Sequence, residues 1–158
     1  MQDREVILRL YKKVAATPGG FARTEDEVTE SYINTILHNS FDRGLSLCML
    51  YADKIIGEIH AYTPVAKVFS HVLSDLTICI DPDCQGGGRG RILFTHFMSE
   101  VKENMPSIKR IELFARSSND KAIEFYQSLG FEVEGYFKKR IRGVNKKLED
   151  DVAMAVII

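Results

Sequence analysis

The chain has 158 residues, of which 45% are hydrophobic, so we expect a single domain over residues 1–158 with a sizeable core. Its formal net charge of -1 gives no reason to expect nucleic acid or a membrane as the main partner. The three cysteines, Cys48, Cys79 and Cys84, contain no C-x-x-C pair. We therefore expect reduced thiols, no metal site, and a cytoplasmic protein without a signal peptide or membrane span.

Two helices are predicted first. Apolar residues recur at helical spacing from Arg4 to Ala16, and the breakers at residues 17–20 end that pattern. Thr24 and Glu27 form a Thr-x-x-Glu capping box. This box predicts the start of a second helix, which continues to about Leu37.

A hairpin and a central strand follow. The apolar runs Leu45–Ala52 and Ile55–Tyr62 are separated by Asp53-Lys54, which predicts two antiparallel strands joined by a tight turn. From His71 to Ile80 the residues alternate in two largely apolar sets, which assign Leu73 and Leu76 to opposite faces. This pattern is typical of a strand covered on both sides.

A glycine-rich loop, Gln85 to Arg91, separates that strand from a helical pattern. Four glycines within five residues leave the backbone N–H groups at the helix start open to a ligand, a geometry that suits an anion and above all a pyrophosphate. The loop is neither a Walker A motif nor a dinucleotide-binding G-x-G-x-x-G motif. The following helix is predicted to end before Pro106 and to turn these residues toward the sheet: Ile92, Leu93, His96, Phe97 and Val101.

The rest of the chain completes a mixed sheet. Ile108–Ala115 is predicted to be a strand parallel to the central one, joined to it by a right-handed crossover. Asn119 or Ser118 can cap the next helix, and Gly130 can end it. Two further strands are expected, from Phe131 to about Arg142 and from Val152 to Ile158.

Two motifs in this order resemble the GNAT superfamily of N-acetyltransferases. Gln85-x-x-Gly88-x-Gly90 is similar to its motif A, and the segment from Asn119 through Ala122, Phe125 and Tyr126 to Gly130-Phe131 is similar to its motif B. The resemblance covers roughly residues 45–158. It implies the acyl-CoA N-acyltransferase fold, an α/β fold whose mixed, mostly antiparallel central sheet contains a parallel, splayed strand pair and carries helices on both faces.

The resemblance also implies acetyl-CoA as co-substrate. Its pyrophosphate would bind the glycine loop, and its pantetheine arm would pair with the strand before the loop, which in the family is bulged. Cofactor-binding residues are then expected at Ile78, Cys79, Ile80, Gln85, Gly86, Gly87, Gly88, Arg89, Gly90, Arg91, Asn119 and Tyr126.

For the catalytic roles, the sequence offers one general acid but several candidates for the general base. By resemblance Tyr126 is the general acid for the departing thiolate, although its helical spacing also fits a core position. The general base remains open between Glu58 and Asp75, with His60 and His71 as weaker candidates, because these polar residues interrupt apolar strands.

The acceptor is expected to be a primary amine, which attacks the thioester directly without an acyl-enzyme. The C-terminal segment slightly favours a small molecule or amino acid as the acceptor. The alternatives are a protein or peptide amine as the acceptor, or a non-catalytic module that only binds acyl-CoA. The family usually opens with a β-strand, whereas this chain begins almost at a helix. The strand left at the edge could pair with a second copy, so a homodimer is possible.

Overall fold

The computed structural model describes residues 2–17, 23–143 and 147–158. Its helices are α1 (Gln2–Ala15), α2 (Glu30–Arg43), α3 (Arg89–Asn104) and α4 (Asp120–Gln127). Its strands are β1 (Gly44–Tyr51), β2 (Lys54–Tyr62), β3 (Val72–Ile80), β4 (Arg110–Arg116), β5 (Glu132–Arg142) and β6 (Leu148–Ile157). The breakers predicted at residues 18–20 lie outside the described residues. None of the described helices is long and apolar enough to cross a membrane.

The six strands form one sheet in the order β1-β2-β3-β4-β6-β5. β3 and β4 run parallel, and every other neighbouring pair is antiparallel, which confirms the predicted mixed fold. The parallel pair keeps its register only at Val72 with Arg110 and Leu73 with Ile111. Beyond these residues the two strands separate, and the sheet is open at that point.

Helices cover both faces of the sheet, each over its own core. On one face, α1 and α2 bury Tyr11 and Ile33 against the sheet together with Cys79. On the other, α3 buries Phe94 and Phe97, and α4 packs at the margin of the same core. The sheet is therefore held in place from two sides while its open wedge stays accessible.

The hairpin of β1 and β2 is confirmed, with its turn one residue earlier than predicted. Ala52 and Asp53 both adopt left-handed backbone conformations, with φ of 47° and 59°, as a type I′ turn requires. β1 is an edge strand, and no strand precedes α1 among the described residues.

The predicted start of α2 at Thr24 is wrong. The Glu27 carboxylate does accept a hydrogen bond from Thr24 N at 2.8 Å, but it closes only a short 3-10 turn over Glu25–Glu27. Val28 then leaves the helical conformation and packs into the core at 1% exposure. α2 begins at Glu30, where the Thr29 hydroxyl accepts from Tyr32 N at 3.1 Å.

The predicted alternation along β3 is also wrong, because the strand contains a bulge. Asp75 has a φ of 53°, and the register against β2 shifts between Ser74 and Thr77 by one extra residue. The bulge brings Leu73 and Leu76 into the same core, although a regular strand would separate them.

The face that α3 turns to the sheet differs in part from the prediction. Leu93, Phe97 and Val101 are buried as expected, but Ile92 is 50% exposed and His96 is exposed as well. Phe94 is fully buried in their place. The apolar stripe of the helix is therefore rotated by about one residue.

Candidate active site

The glycine loop presents a set of unpaired backbone donors. Three consecutive glycines have left-handed conformations, with φ of 90° at Gly86, 60° at Gly87 and 75° at Gly88. α3 begins directly after them, so the positive end of its dipole points at the loop. Within the described part of the chain, the backbone N–H groups here that have no acceptor include those of Gly86, Gly87, Gly88, Gly90 and Arg91.

Side chains hold this loop open. The Gln85 amide donates to Ile80 O at 3.4 Å, and the Arg89 guanidinium donates to Cys84 O at 3.1 Å. A Cβ added at Gly86 or Gly88 would meet nothing within 4 Å, so the loop borders empty space. The arrangement is a rigid cradle in which an anion can receive several N–H groups.

A cavity of about 650 Å³ fills the wedge between β3 and β4 and extends to the glycine loop. Among the predicted cofactor-binding residues, Gly87 is the one that does not line it. The others do: Ile78, Cys79, Ile80, Gln85, Gly86, Gly88, Arg89, Gly90, Arg91, Asn119 and Tyr126. The structure thus brings the two sequence motifs to one site.

The cavity is lined by more cationic than anionic residues, although the net charge of the chain is -1. Four cationic residues line it, namely Arg89, Arg91, Arg116 and Lys121, and no aspartate or glutamate does so among the described residues. Arg116 Nε is buried and has no hydrogen-bond partner. Sequence reasoning missed Arg116 and Lys121, yet β4 ends at Arg116, and ligand sites lie at the carboxyl ends of parallel strands.

Tyr126 both packs in the core and lines the cavity. Its ring centroid lies 5.9 Å from that of Phe94 and 5.8 Å from that of Phe131. Burial raises the pKa of its phenol to about 12, so the hydroxyl keeps its proton at neutral pH. No hydrogen bond to this hydroxyl is formed by the residues that the structure describes, and it is available to a ligand.

A second, smaller cavity of about 190 Å³ adjoins the first and shares Leu76, Thr77 and Phe114 with it. Asp75 reaches this cavity from the bulge in β3. Its other walls are formed by Arg23, Tyr32, His60 and Tyr62, together with the apolar Ile36. Sequence reasoning missed Arg23 and the two tyrosines, which come from segments far apart in the chain.

The four candidate bases are scattered. Asp75 and His60 line the smaller cavity, whereas Glu58 and His71 line neither. Glu58 is fully buried on β2, where it accepts hydrogen bonds from Tyr11 Oη and from Ser46 Oγ, the latter at 2.6 Å. His60 Nδ1 lies 3.1 Å from Glu58 Oε2, so His60 connects Glu58 to the smaller cavity.

The cysteines are poorly suited to act as nucleophiles. Burial raises the pKa of the Cys79 thiol, which lines the larger cavity, well above its ordinary value. Burial likewise raises the pKa of Cys48 to about 11. Because the thiolate is the reactive form, both groups stay inert at neutral pH. No cluster of three metal-ligating side chains occurs in the described ranges.

A sequence model of the acetyltransferase (GNAT) family matches residues 9–131, which include the glycine loop and the whole of α4. The chain belongs to this family. The predicted resemblance is thereby confirmed, as is the assignment of the protein as an N-acetyltransferase.

Individual relatives agree with this assignment. The [ribosomal protein bS18]-alanine N-acetyltransferase of Salmonella typhimurium is 29% identical over 124 residues, which are 78% of each chain. The crystal structure of the ribosomal-protein-S18-alanine N-acetyltransferase of Escherichia coli superposes with a TM-score of 0.75 at 25% identity, covering 100% of this chain and 89% of that one.

A phosphinothricin acetyltransferase of Sinorhizobium meliloti, solved in complex with acetyl-CoA, has a TM-score of 0.77 at 16% identity. That alignment covers 99% of this chain and 84% of the other. At this identity the likeness concerns the fold, which is the same one.

Proposed function

We propose that this protein transfers the acetyl group of acetyl-CoA directly to the α-amine at the N-terminus of a polypeptide. The observation that carries the proposal is the cradle of unpaired N–H groups beside an open wedge that four cationic residues line, with no acidic residue among the described residues of its wall. Acetyl-CoA combines a pyrophosphate with an extended, amide-containing arm that ends in the thioester. The pyrophosphate matches the glycine loop, and the extended arm matches the wedge.

The larger cavity supports a specific arrangement of acetyl-CoA. The pyrophosphate would accept from the N–H groups of Gly86 to Arg91, and Arg116 and Lys121 would add positive charge at the opposite wall. The pantetheine amides would pair with the backbone of Ile78 and Ile80, whose strand has no partner on that side beyond Leu73. The acetyl end would then lie near Tyr126.

Tyr126 is proposed as the general acid. When the amine attacks the thioester carbonyl, the C–S bond breaks and negative charge develops on sulfur. A phenol with a pKa of about 12 retains its proton up to that step and can then donate it to the sulfur. Direct transfer fits the protonated state of Cys79, which excludes it as an acyl carrier.

The smaller cavity is proposed to bind the acceptor. It joins the wedge next to the expected thioester and is large enough for one amino-acid side chain rather than for a whole substrate. The curated relatives are alanine N-acetyltransferases that act on ribosomal protein bS18, as their names state. They favour a peptide α-amine over the free small amine that the C-terminal segment of the sequence favoured.

The test combines binding and transfer. Calorimetric titration with acetyl-CoA should show one binding site, and mass spectrometry should then show one added acetyl group on a peptide that begins with alanine. The same peptide with a formylated N-terminus is the matched control and should remain unmodified. Acetylation of free alanine or spermidine but not of the peptide would contradict the acceptor, and binding without any transfer would contradict the activity.

A homodimer through the edge strand β1 is also proposed. Edge strands present unpaired backbone groups, and Leu50 and Tyr51 on β1 are each 63% exposed. Light scattering over micromolar concentrations should give twice the chain mass of 17.9 kDa. A constant mass of one chain would refute the dimer.

We further propose that the protein works in the cytoplasm. The structure contains three free cysteines and no disulfide among the described residues, which suits a reducing compartment. Fractionation of cells that express the chain should recover it with the cytoplasmic enzymes.

A further inference from the structure

A buried polar cluster lies between α1 and the hairpin of β1 and β2, beside the acceptor cavity. Its centre is Glu58, which is completely buried. Both carboxylate oxygens are occupied: Oε1 accepts from Ser46 Oγ at 2.6 Å, and Oε2 accepts from Tyr11 Oη and lies 3.1 Å from His60 Nδ1. Three separate elements thus converge on one carboxylate.

Such a cluster is costly for a purely structural purpose. Burying a carboxylate away from water is strongly unfavourable unless several donors offset the lost hydration, and apolar residues of similar volume usually give equal or greater stability. The burial of Glu58 therefore calls for a purpose that apolar packing could not serve. One member of the cluster, His60, also lines a cavity.

The contacts of His60 select one of its tautomers. Its Nδ1 lies 3.1 Å from both the Glu58 carboxylate and Tyr11 Oη, and because the Tyr11 hydroxyl donates to Glu58, the carboxylate is the acceptor for an Nδ1–H group. Within the described residues Nε2 makes no hydrogen bond. The imidazole ring stacks on Tyr62, with a centroid distance of 6.1 Å and an interplanar angle of 3°, which fixes its plane. The lone pair on Nε2 is thus left for a ligand in the cavity.

We propose that His60 is the general base that removes the proton from the acceptor ammonium, and that Glu58 is the positioning residue that sets its tautomer. This inference rests on the proposed function, because it requires an amine in the smaller cavity. Histidine is the side chain that most often acts as a general base, and a ring nitrogen with a free lone pair can take the proton directly from an ammonium in the cavity.

Two protons leave the acceptor nitrogen during the transfer. The ammonium gives one proton to His60 Nε2, and the free amine forms the N–C bond at the thioester carbonyl. The C–S bond breaks with its electron pair on sulfur, which takes a proton from Tyr126. The second proton lost by the nitrogen replaces the proton on Tyr126, and His60 releases its proton to solvent.

Asp75 is the competing base, since it lines the same cavity. Asp75 is exposed on the bulge and shares a hydrogen bond with Tyr62. His60, in contrast, is oriented by the contact between its Nδ1 and the Glu58 carboxylate. The ionisable groups that face His60 come from every element packed around it: Tyr11 of α1, Tyr32 of α2, Glu58 and Tyr62 of β2, Asp75 of β3, and Arg23.

The deciding experiment compares His60→Gln with Asp75→Asn in acetylation of the alanine-leading peptide from pH 6.5 to 9.5. We expect His60→Gln to lower kcat at pH 7 by about 10²-fold with the KM for acetyl-CoA unchanged, and the deficit to shrink above pH 8, where the peptide amine is deprotonated without help. Asp75→Asn alters a wall of the acceptor cavity, so it should raise the KM for the peptide, and any change in kcat should be the same at every pH. Equal activity of His60→Gln and the wild type at pH 7, or a deficit that does not depend on pH, would overturn the role of His60.

Glu58→Gln tests the positioning role and should give a smaller loss of kcat that high pH also reverses. A second measurement does not depend on any variant folding. Long-range proton–nitrogen NMR spectra of the wild-type protein should show the His60 proton on Nδ1, and a proton on Nε2 would overturn the proposal. Absence of any peptide acetylation by the wild type would instead overturn the proposed function, and the role of His60 with it.

Discussion

Gly88 gives the most direct test of the proposed cofactor-binding loop. It is the N-cap of α3, its φ is 75°, and the space where a side chain would project is empty. Aspartate and asparagine both tolerate this left-handed conformation better than other residues with a side chain, and both are good N-caps. The two differ in charge but hardly in size, so they separate electrostatics from strain.

We predict that Gly88→Asp binds acetyl-CoA at least about tenfold more weakly than Gly88→Asn, a difference of about 1.4 kcal/mol. The carboxylate would lie where the pyrophosphate is proposed to bind and would repel it. Calorimetric titration of the two variants checks this. Both substituted residues should support the start of α3 equally well, so a difference in affinity would come from the charge. Equal affinity of the two variants would contradict the prediction.

Tyr126 gives a second test at the scale of one residue. Tyr126→Phe keeps the aromatic packing and removes only the hydroxyl, so kcat should fall by about 10²-fold while acetyl-CoA affinity stays nearly constant. Tyr136→Phe, on an exposed tyrosine of β5, should leave both unchanged. A full loss of binding in Tyr126→Phe would show that the ring has a structural role instead.

The proposed role of Tyr126 as general acid also predicts how activity depends on alkaline pH. Because the folded protein raises the pKa of Tyr126 to about 12, the phenol remains protonated through pH 10 and loses its proton only as the pH approaches that value. In a protein that is stable over this range, kcat should therefore show no loss from the phenol below about pH 10. An alkaline decline centred near pH 8 that is absent from Tyr126→Phe would contradict this assignment.

At the scale of elements, the junction of α2 and β1 controls how the hairpin meets the sheet. Gly44 ends α2 and starts β1, directly against β2. A Cβ added there would lie 2.1 Å from Ala61 O and 2.6 Å from Tyr62 Cα. Both are backbone atoms, which cannot move aside as a flexible side chain would.

Gly44→Ala is accordingly predicted to destabilise the protein by more than about 2 kcal/mol, the range typical of overpacking. Gly135→Ala is the matched control, because an added Cβ on β5 meets nothing within 4 Å. Its effect should stay below about 1 kcal/mol. Urea unfolding followed by circular dichroism measures both, and equal midpoints would show that the junction can relax.

At the scale of the whole molecule, charge is unevenly distributed. The chain carries a net charge of -1, yet the cavity in the sheet is lined by cationic residues with no acidic residue among those described. A ligand that carries several phosphate charges will therefore bind the folded state in preference to the unfolded chain. Binding of this kind stabilises a protein by mass action.

Acetyl-CoA at a hundredfold excess over its Kd should add about 2.7 kcal/mol to the free energy of unfolding. For a chain of this length that corresponds to a rise in Tm of about 5–11 °C. Acetyl-pantetheine, which has the same thioester arm and no phosphates, is the control and should give a far smaller shift at the same concentration. Equal shifts would mean that the glycine loop does not bind phosphate.

The sequence alone determined the family, the glycine loop, the order of strands and helices, and most of the residues that line the larger cavity. These features depend on local patterns: glycine spacing, apolar periodicity and capping residues act within a few positions of one another. Asn119 illustrates this, since its side chain caps α4 as predicted and accepts from Ala122 N at 3.2 Å.

Only the tertiary structure decided the bulge at Asp75, the late start of α2 and the surroundings of Glu58. Each depends on contacts between distant segments, as when Tyr11 reaches a carboxylate 47 residues away. The free energy gained from those contacts exceeds the free energy by which the local sequence favours a helix. This is why Val28 leaves a well-capped turn and enters the core. For the same reason a glutamate that is a candidate base in the sequence is fully buried and lines neither cavity, while the neighbouring histidine lines the smaller one.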